Sequence, residues 1–221
     1  MLQVDLFRHL EADDLAAVAS VVRPTTYPQG AIIAEIGTPY SPLYLLTAGL
    51  ALLCGVSPDG QQVALEVLQA GDLFGIDGVD GLTGAPVLQI VEKGTVLATV
   101  ERFTPRRLMA SYPDLAEALL EQSGRQLMRV HQRILELSAC SVRVRLAHLL
   151  AQIRSDERVG GLSRDVLGLM VGASRRQVTR ALDSLRAESL VAYQRHGREI
   201  VLCDRGRLAS LEDPPQRNAK V

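Results

Sequence analysis

The chain of 221 residues contains no tryptophan, only three cysteines and no uninterrupted run of 18 apolar residues. The cysteines, Cys54, Cys140 and Cys203, are odd in number and widely spaced, so they do not outline a disulfide framework. The missing apolar run excludes a typical membrane-spanning helix, and the N-terminal residues lack the basic and then apolar pattern of an export signal. We therefore expect a cytoplasmic protein that makes no membrane contact.

Histidine is also scarce, and none of the four histidines lies between residues 24 and 100. Metal enzymes built on a jelly roll bind their ion through clustered imidazole and carboxylate ligands inside the barrel. No Ser/His/Asp or Cys/His arrangement is apparent either. The sequence therefore predicts no catalytic residue, no metal and no cofactor. An enzyme or metabolite-binding protein that uses a jelly roll is the alternative from another class.

The formal net charge of −1 conceals two oppositely charged parts. Residues 1–137 contain 9 Lys and Arg against 16 Asp and Glu, whereas residues 138–221 contain 15 against 9. A basic C-terminal part attached to an acidic body is the charge distribution expected of a modular nucleic-acid-binding protein.

Between residues 24 and 100, short apolar runs alternate with glycine and other turn-forming residues. Ser57 to Gly60, with the sequence Ser-Pro-Asp-Gly, has the composition of a hairpin turn. Many short strands with regular turn signals predict a β-roll or jelly roll, preceded by a helix within residues 5–22. The runs that fit strands are 31–33, 43–46, 50–53, 63–68, 87–91 and 95–100.

Residues 112–137 have a helical period, with Pro113 in the first turn and Gly124 as the only interior glycine. Residues at alternating spacings of three and four form a narrow stripe, which is typical of a coiled-coil seam. Packing of this helix on its own domain is the alternative, although such helices usually show a wider stripe. The seam contains Ser123 and the predicted dimerisation residues Leu120, Leu127, Val130, Ile134 and Leu137.

Residues 162–185 predict two short amphipathic helices joined at Gly172, with Ser163 and Ser174 where N-caps belong. Polar residues of the second helix share an arc of about 140° and apolar residues take the opposite side. This pattern predicts a helix-turn-helix whose second helix enters the major groove of DNA, and a merely solvated arginine face is the alternative. The polar arc contains Arg175, Arg176, Thr179, Arg180 and Asp183, and the apolar side contains Val178, Ala181, Leu182 and Leu185.

Two more strands are predicted after the helix pair, at 190–194 and 199–202. The residues between them, Arg195 to Arg198, include His196 and Gly197 and suit a basic hairpin turn. Together with the helix pair, these strands predict a winged helix-turn-helix with basic residues at the tip of the wing.

The order of these elements resembles the cyclic-AMP receptor protein / fumarate-nitrate regulator (CRP/FNR) family of bacterial transcription factors, over about residues 5–205. The resemblance implies an α+β protein with an N-terminal β-roll (jelly-roll, cyclic-nucleotide-binding-like) domain, a long dimerisation helix and a C-terminal winged helix-turn-helix. The residues that carry it are Gly30, Gly37, Leu43 to Leu46, Gly49, Asp59, Gly60 and Gly71 to Gly75, followed by Ser174, Arg175, Val178, Arg180 and Leu182.

The predicted elements divide the chain into three domains or segments and a tail. The β-roll domain takes residues 1–110 and the dimerisation helix residues 111–139. The DNA-binding domain takes residues 140–213, and residues 214–221, which begin with Pro214, form a loose tail.

The sequence departs from cyclic-AMP-binding members of this family at the ligand residues. In those members the Phe-Gly of the β-roll is followed by Glu, and further along by an Arg-Ser pair, which hold the ribose and the cyclic phosphate. Here Gly75 is followed by Ile76, and residues 81–87 contain neither Arg nor Ser. A phosphate buried without a cation is poorly stabilised, so we expect no gating by cyclic AMP in the usual way.

Other effectors stay open. The cysteine cluster of oxygen-sensing members is absent, because no cysteine precedes Cys54, so no iron–sulfur cluster is expected. The alternatives are an unidentified small molecule, haem bound through a histidine of the dimerisation helix, or no effector. The candidate effector pocket comprises Phe74, Gly75, Ile76, Ala85, Pro86, Val130 and His131.

A second departure concerns DNA specificity. Relatives that read a TGTGA-like half-site carry Glu after the arginine that matches Arg175, and this Glu can accept from cytosine N4. Here that residue is Arg176, which cannot accept a hydrogen bond. We expect Arg175 and Arg180 to read guanines or to bind phosphates, with loss of the cytosine preference. The expected DNA-contacting residues are Arg175, Arg176, Arg180, Thr179, Gln177, Ser174, Ser163, Arg164 and His196.

These observations together predict a homodimeric transcriptional regulator that binds a palindromic operator in double-stranded DNA. A parallel dimer places two recognition helices one DNA turn apart, which requires a two-fold symmetric site. The resemblance implies activation through contact with RNA polymerase. A regulator gated by a small molecule in the β-roll is the alternative within the same class.

Overall fold

The computed structural model describes residues 16, 19–20, 22–33, 43–56, 60, 62–74, 87–100, 110–153, 158–160, 162–194 and 199–213. Most of the helix predicted within 5–22, the turn at 57–59, the wing turn at 195–198 and the tail at 214–221 lie outside these residues. The chain forms two compact units, Met1–Val130 and His131–Val221, termed the β-roll unit and the winged-helix unit. The division falls inside one helix, and the boundaries expected at 110/111 and 139/140 stay predictions.

The β-roll unit contains two antiparallel sheets of four strands each, in the orders β1-β8-β3-β6 and β2-β7-β4-β5. This arrangement confirms the predicted β-roll, because every apolar run singled out in the sequence overlaps one of the strands. The strands are β1 (Arg23–Tyr27), β2 (Ile32–Ile33), β3 (Leu43–Ala48), β4 (Leu50–Val56), β5 (Gln62–Gln69), β6 (Leu73–Phe74), β7 (Val87–Ile90) and β8 (Thr95–Val100).

Three strands of the chain were missed by the sequence analysis. Strand β1 contains Pro24, which has no backbone N–H and therefore disfavours a strand prediction. Within the described residues β1 pairs only with β8, so no second neighbouring strand needs a hydrogen bond from this position. Strand β6 has two residues and β9 (Arg158–Gly160) has three, which is too short for an alternating pattern to emerge.

The core of the β-roll unit is built from side chains at alternate strand positions. Leu46, Leu88 and Leu97 are fully buried within it. Phe74 packs beside them and stacks on Tyr44, with ring centroids 4.8 Å apart and planes 4° from parallel. Burial of each such side chain stabilises the fold by roughly 1.5–3 kcal/mol.

The turn between β3 and β4 depends on Gly49. Its φ is 90°, and a Cβ atom there would lie 2.3 Å from Oγ1 of Thr95. The Thr95 hydroxyl is buried and donates to the carbonyl of Glu92 at 2.8 Å. The chain approaches Thr95 this closely because glycine has no side chain.

Helix α1 (Pro113–Ala139) follows the β-roll and begins at the predicted proline. Its first part meets a buried carboxylate, Asp72, whose side chain is 3% exposed. Asp72 accepts hydrogen bonds from the Gln69 N–H at 3.0 Å, from Gln122 Nε2 at 3.3 Å and from the Arg129 guanidinium. Three donors therefore compensate the buried charge. Among the helices that the structure describes, none has the length and apolarity needed to cross a membrane.

The winged-helix unit combines four further helices with a three-stranded sheet in the order β10-β11-β9. Its core contains Leu146, Leu150, Met170, Leu182 and Leu185, all fully buried. The elements are α2 (Val142–Gln152), α3 (Arg164–Val171), α4 (Arg175–Ala187), β10 (Val191–Gln194), β11 (Glu199–Leu202) and α5 (Arg205–Ala209).

A brace of side chains fixes the junction between α1 and α2. Ser141, the N-cap of α2, donates its backbone N–H to Asp213 at 2.6 Å, and its hydroxyl also bonds that carboxylate. His148 lies between Glu136 Oε1 at 3.1 Å and the carbonyl of Leu211 at 2.9 Å. Asp213 is therefore tied to a helix start 72 positions earlier in the chain, and Leu211 to a histidine 63 positions earlier.

Candidate nucleic-acid interface

Helices α3 and α4 form the predicted helix-turn-helix. The Ser163 hydroxyl accepts from the Val166 N–H at 3.2 Å, which caps α3 as expected. The helix ends at Gly172, whose φ and ψ of 63° and 49° are left-handed. Glycine adopts this conformation without steric cost, so the chain can turn sharply into α4.

Gly168 is a second requirement of the turn, and the sequence analysis did not single it out. A Cβ atom at this position would lie 2.5 Å from the carbonyl oxygen of Ala173. The Ala173 N–H in turn donates to the Gly168 carbonyl at 2.9 Å. The missing side chain therefore lets the start of α4 lie directly against α3.

The start of α4 carries a capping box. The Ser174 hydroxyl accepts from the Gln177 N–H at 3.4 Å, while Gln177 Oε1 accepts from the Ser174 N–H at 2.9 Å. Two of the predicted DNA-contacting side chains are thus engaged with the backbone of their own helix. The cap also fixes the end of α4 at which free N–H groups and the positive pole of the helix can meet a phosphate.

Helix α4 has the two faces that its sequence predicts. Val178, Ala181, Leu182 and Leu185 are buried against the unit. The opposite face is exposed at Arg175, Arg176, Arg180 and Asp183, and Thr179 is half-buried with its hydroxyl donating to the Arg175 carbonyl.

The exposed arginines differ in their partners. Arg175 lies 3.4 Å from Asp165 in a pair whose side chains are both largely exposed. Such a pair contributes little stability in water and can exchange for a phosphate or a base. Within the described residues, Arg176 and Arg180 have no carboxylate within 4 Å, so their charges are available to an acidic ligand.

The wing is formed by β10 and β11, in which Val191 pairs with Leu202 and Gln194 with Glu199. Strand β9 adds a third strand next to β11. The connecting turn, which contains the predicted contact His196, lies outside the described residues. Arg164, another predicted contact, is the first residue of α3 and is half-buried.

Two arginines outside the predicted set clamp the turn. Arg133 of α1 donates to the carbonyl of Met170, and Arg145 of α2 donates to those of Leu137 at 3.1 Å and Gly172 at 3.5 Å. These acceptors include the last carbonyls of α3, which have no partner within their own helix. No local sequence pattern predicts these contacts, because their acceptors are backbone atoms of other elements.

Both units of the chain match known protein families. Residues 144–211 match the model of the Crp-like helix-turn-helix domain, and residues 24–86 match that of the cyclic nucleotide-binding domain. The chain is a transcriptional regulator of the CRP/FNR family. Its winged-helix unit is accordingly a DNA-binding domain.

CRP/FNR-type regulators resemble the chain over most of its length. It is 26% identical over 220 residues to the CRP-like cAMP-activated global transcriptional regulator of Mycobacterium tuberculosis, covering 95% of this chain and 96% of the relative. FixK2 from Bradyrhizobium japonicum has the same fold with a TM-score of 0.73 and 20% identity, over 88% of this chain and 98% of that one. The c-di-GMP responsive regulator CLP from Xanthomonas campestris superposes with a TM-score of 0.67 at 20% identity, over 88% and 100%.

The alternating spacing of three and four residues predicted a dimerisation face on α1, and α1 does carry an exposed apolar face. Leu120 is 75% exposed and Leu127 55%, and Ile134 and Leu137 are exposed as well, while Val130 is half-buried. Two more apolar residues, Met128 and Leu135, widen this face beyond the predicted seam. Regulators of this family typically act as dimers.

Three residues of the candidate effector pocket lie in the described part of this CRP/FNR-family chain. Phe74 is buried and stacked on Tyr44, Val130 is half-buried and His131 is exposed on α1. The other four residues, Gly75, Ile76, Ala85 and Pro86, lie outside the described part of the chain. Within that part, no group of three or more His, Cys, Asp or Glu side chains is placed to hold a metal ion.

Proposed function

We propose that this CRP/FNR-family regulator acts as a homodimer on a palindromic operator and activates transcription by contacting RNA polymerase. The observation that carries the proposal is the exposed arginine face of α4, whose opposite face is packed into the unit. A helix held in this way can enter the major groove without losing its support. The target is DNA, so the proposed location is the cytoplasm, and no catalytic step is involved.

Three arginines of α4 are assigned to DNA recognition. Arg175 and Arg180 read guanine edges or bind the adjoining phosphates, because a guanidinium can donate to guanine O6 and N7 together. Arg176 only donates, so it does not recognise cytosine N4 in the way an acidic residue does. The proposed half-site therefore differs from TGTGA at the base pair facing Arg176.

The remaining contacts are assigned to the DNA backbone. Ser163 and Ser174 cap the two helix starts, where backbone N–H groups and the helix dipole favour a phosphate. Gln177 can exchange its contact with Ser174 for a contact with DNA. The other assigned residues are Arg164, Thr179 and His196.

The homodimer is assigned to α1. Its exposed leucine and isoleucine side chains recur at the spacing of a coiled-coil seam, and a second copy of the helix would remove them from water. Burial of about 100 Å² of apolar surface stabilises association by roughly 2.5 kcal/mol before entropic costs.

Cyclic AMP is not proposed as the effector, although the M. tuberculosis relative is named for activation by it. Ile76 stands where cyclic-AMP-binding members carry Glu, and the segment 81–87 supplies no cation for a phosphate. Isothermal titration with cyclic AMP is expected to show no binding, and a micromolar dissociation constant would contradict this. An effector-gated regulator remains the second candidate, which the c-di-GMP responsive neighbour CLP favours.

The experiment that tests the proposal is selection from a random DNA library with purified protein and no added ligand, at about physiological salt. Enrichment of a two-fold palindrome supports homodimeric, ligand-independent binding and supplies the operator. If only a cell extract permits enrichment, the effector-gated candidate is correct instead. Failure under both conditions would refute sequence-specific binding by this interface.

A further inference from the structure

Tyr193 of β10 brings the wing, α3 and α4 together at one aromatic ring. The guanidinium carbon of Arg164, at the start of α3, lies 5.9 Å from the ring centroid. That of Arg186, in the last turn of α4, lies 5.5 Å from the same centroid. Both distances are within the range in which an arginine is attracted to an aromatic face.

The two arginines differ in how their charge is balanced. Arg186 also lies 3.9 Å from a carboxylate oxygen of Asp183. Arg164 has no carboxylate within 4 Å among the described residues, and its buried Nε has no hydrogen-bond partner there. Two positive charges thus converge on one ring, and one of them is uncompensated. A negatively charged ligand would relieve this arrangement.

The position of Arg164 identifies that ligand as a DNA phosphate. Arg164 directly follows the N-cap Ser163, at the positive end of the helix that precedes the recognition helix. A guanidinium held over an aromatic face keeps its terminal N–H groups for a bidentate contact with phosphate oxygens. An arginine held in this way also loses less conformational freedom on binding than a free one.

We propose that Tyr193 is a positioning residue for DNA binding, which holds Arg164 in place for a backbone phosphate without contacting the DNA itself. This inference rests on the proposed function. The hydroxyl of Tyr193 is buried without a hydrogen-bond partner among the described residues. The inference is consistent with this, because Arg164 requires only the aromatic ring and not the hydroxyl. The phosphate carries no sequence information, so the effect applies equally to operator and unrelated DNA.

The test measures the affinity of the full-length protein for a duplex carrying the selected operator and for an unrelated duplex, over a range of salt concentrations. Arg164→Met is expected to reduce the slope of log affinity against log salt by about one, the value for one lost phosphate contact. Tyr193→Leu is expected to weaken binding to both duplexes by about threefold to tenfold. In the Arg164→Met background, Tyr193→Leu should cost nothing further.

Tyr193→Phe keeps the ring and is expected to bind like the unsubstituted protein. Arg207→Met, which removes an exposed arginine of α5, is the matched control for charge and should leave the slope unchanged. If Tyr193→Leu does not fold, as judged by its thermal unfolding, Arg164→Lys replaces it. This variant retains the charge but not the planar guanidinium that binds a phosphate through two N–H groups, and should retain the slope with weaker binding.

Equal losses from Tyr193→Leu with and without Arg164 would show a purely structural role and overturn the inference. So would an unchanged salt slope for Arg164→Met, or full affinity for Arg164→Lys. In these cases the unsubstituted protein still selects a palindrome and the proposed function stands. If the unsubstituted protein binds no DNA in a salt-dependent manner, the proposed function fails and the inference fails with it.

Discussion

The two units of the chain use charge in opposite ways. In the β-roll unit, the buried carboxylate of Asp72 accepts hydrogen bonds from donors of its own unit, including Arg129. In the winged-helix unit, Arg176 and Arg180 stand exposed on a helix whose other face is apolar and buried. Charge that is satisfied internally fixes a structure, whereas charge left at the surface is free to bind a ligand.

The winged-helix unit also contains arginines whose charge is satisfied internally. Arg133 and Arg145 donate to backbone carbonyls around the end of α3. Residue type alone therefore does not distinguish a structural arginine from one that meets DNA. The distinction comes from whether the guanidinium is held by acceptors inside the fold or lies at the surface, where a pair such as Arg175 with Asp165 can exchange for a ligand.

The largest effect is expected from Gly168→Ala, which tests whether α3 and α4 can move apart to accommodate a side chain between them. The new Cβ would lie 2.5 Å from the Ala173 carbonyl oxygen, so α3 and α4 must move apart. We expect the free energy of unfolding to fall by about 2–3 kcal/mol, as measured by urea denaturation.

Gly206→Ala is the control for this substitution, since the nearest atom to its Cβ is Asp204 Oδ1 at 3.6 Å, an ordinary contact. It should leave stability unchanged or raise it slightly, because alanine favours a helix over glycine. If Gly168→Ala costs no more stability than Gly206→Ala, the turn tolerates a side chain and the prediction is wrong.

A comparable effect is expected on DNA affinity from Arg175→Ala. Loss of a bidentate contact should weaken operator binding by about 1–3 kcal/mol and relax specificity at one base pair. Arg207→Ala, on the exposed surface of α5, should change little. The readout is fluorescence anisotropy with operator duplexes substituted one base pair at a time, and unchanged affinity for all of them would refute the assigned role of Arg175.

Leu127→Lys and Ile134→Lys test the exposed face of α1 as a dimer contact. A buried, unpaired ammonium is costly, so either substitution should shift the protein toward monomers in sedimentation equilibrium. Gln132→Lys places the same charge at an exposed polar position of α1 and should leave the dimer intact. A protein that sediments as a monomer without any substitution would contradict the proposed homodimer.

Asp72→Ala tests the internal charge of the β-roll unit. It leaves Gln122 and Arg129 without their acceptor and should cost about 1–2 kcal/mol of unfolding free energy. Asp72→Asn keeps an oxygen acceptor and should cost less. An equal loss for the asparagine variant would mean that the charge, and not the hydrogen bonds, dominates.

The smallest effect concerns thiol reactivity in the winged-helix unit. Partial burial raises the pKa of the Cys140 thiol and the carboxylates of Glu136 and Asp213 raise it further, while Arg145 lowers it. Because the thiolate is the reactive form, Cys140 should react with a disulfide reagent more slowly than the exposed Cys203. Faster modification of Cys140, located by mass spectrometry, would contradict this order.

The sequence predicts those parts of the interface that depend on local pattern. The buried and exposed faces of α4 follow from a period of 3.6 residues, and the caps at Ser163 and Ser174 follow from residue type and position. Gly172 was recognisable as a turn for the same reason. Each of these features requires only residues within a few positions of one another.

The features that were missed depend on residues far apart in the chain. A side chain at Gly168 would clash with the carbonyl oxygen of Ala173, whose position depends on the turn between α3 and α4. Arg133 contacts a carbonyl 37 positions further along the chain. Tyr193 lies 29 positions after Arg164, the arginine that its ring attracts. Met128 and Leu135 were left out of the seam because a heptad pattern does not reveal which neighbouring positions the rest of the chain covers.

The brace at the start of α2 bears on the order in which the protein can complete its structure during synthesis. The ribosome makes Ser141 72 residues before the carboxylate of Asp213 that receives its N–H. Until Asp213 emerges, that N–H has only water as a partner, whereas the hydroxyl beside it can already accept from the Val144 N–H. The β-roll precedes this segment and can fold as it leaves the ribosome, whereas the DNA-binding domain closes only after Asp213 has been made.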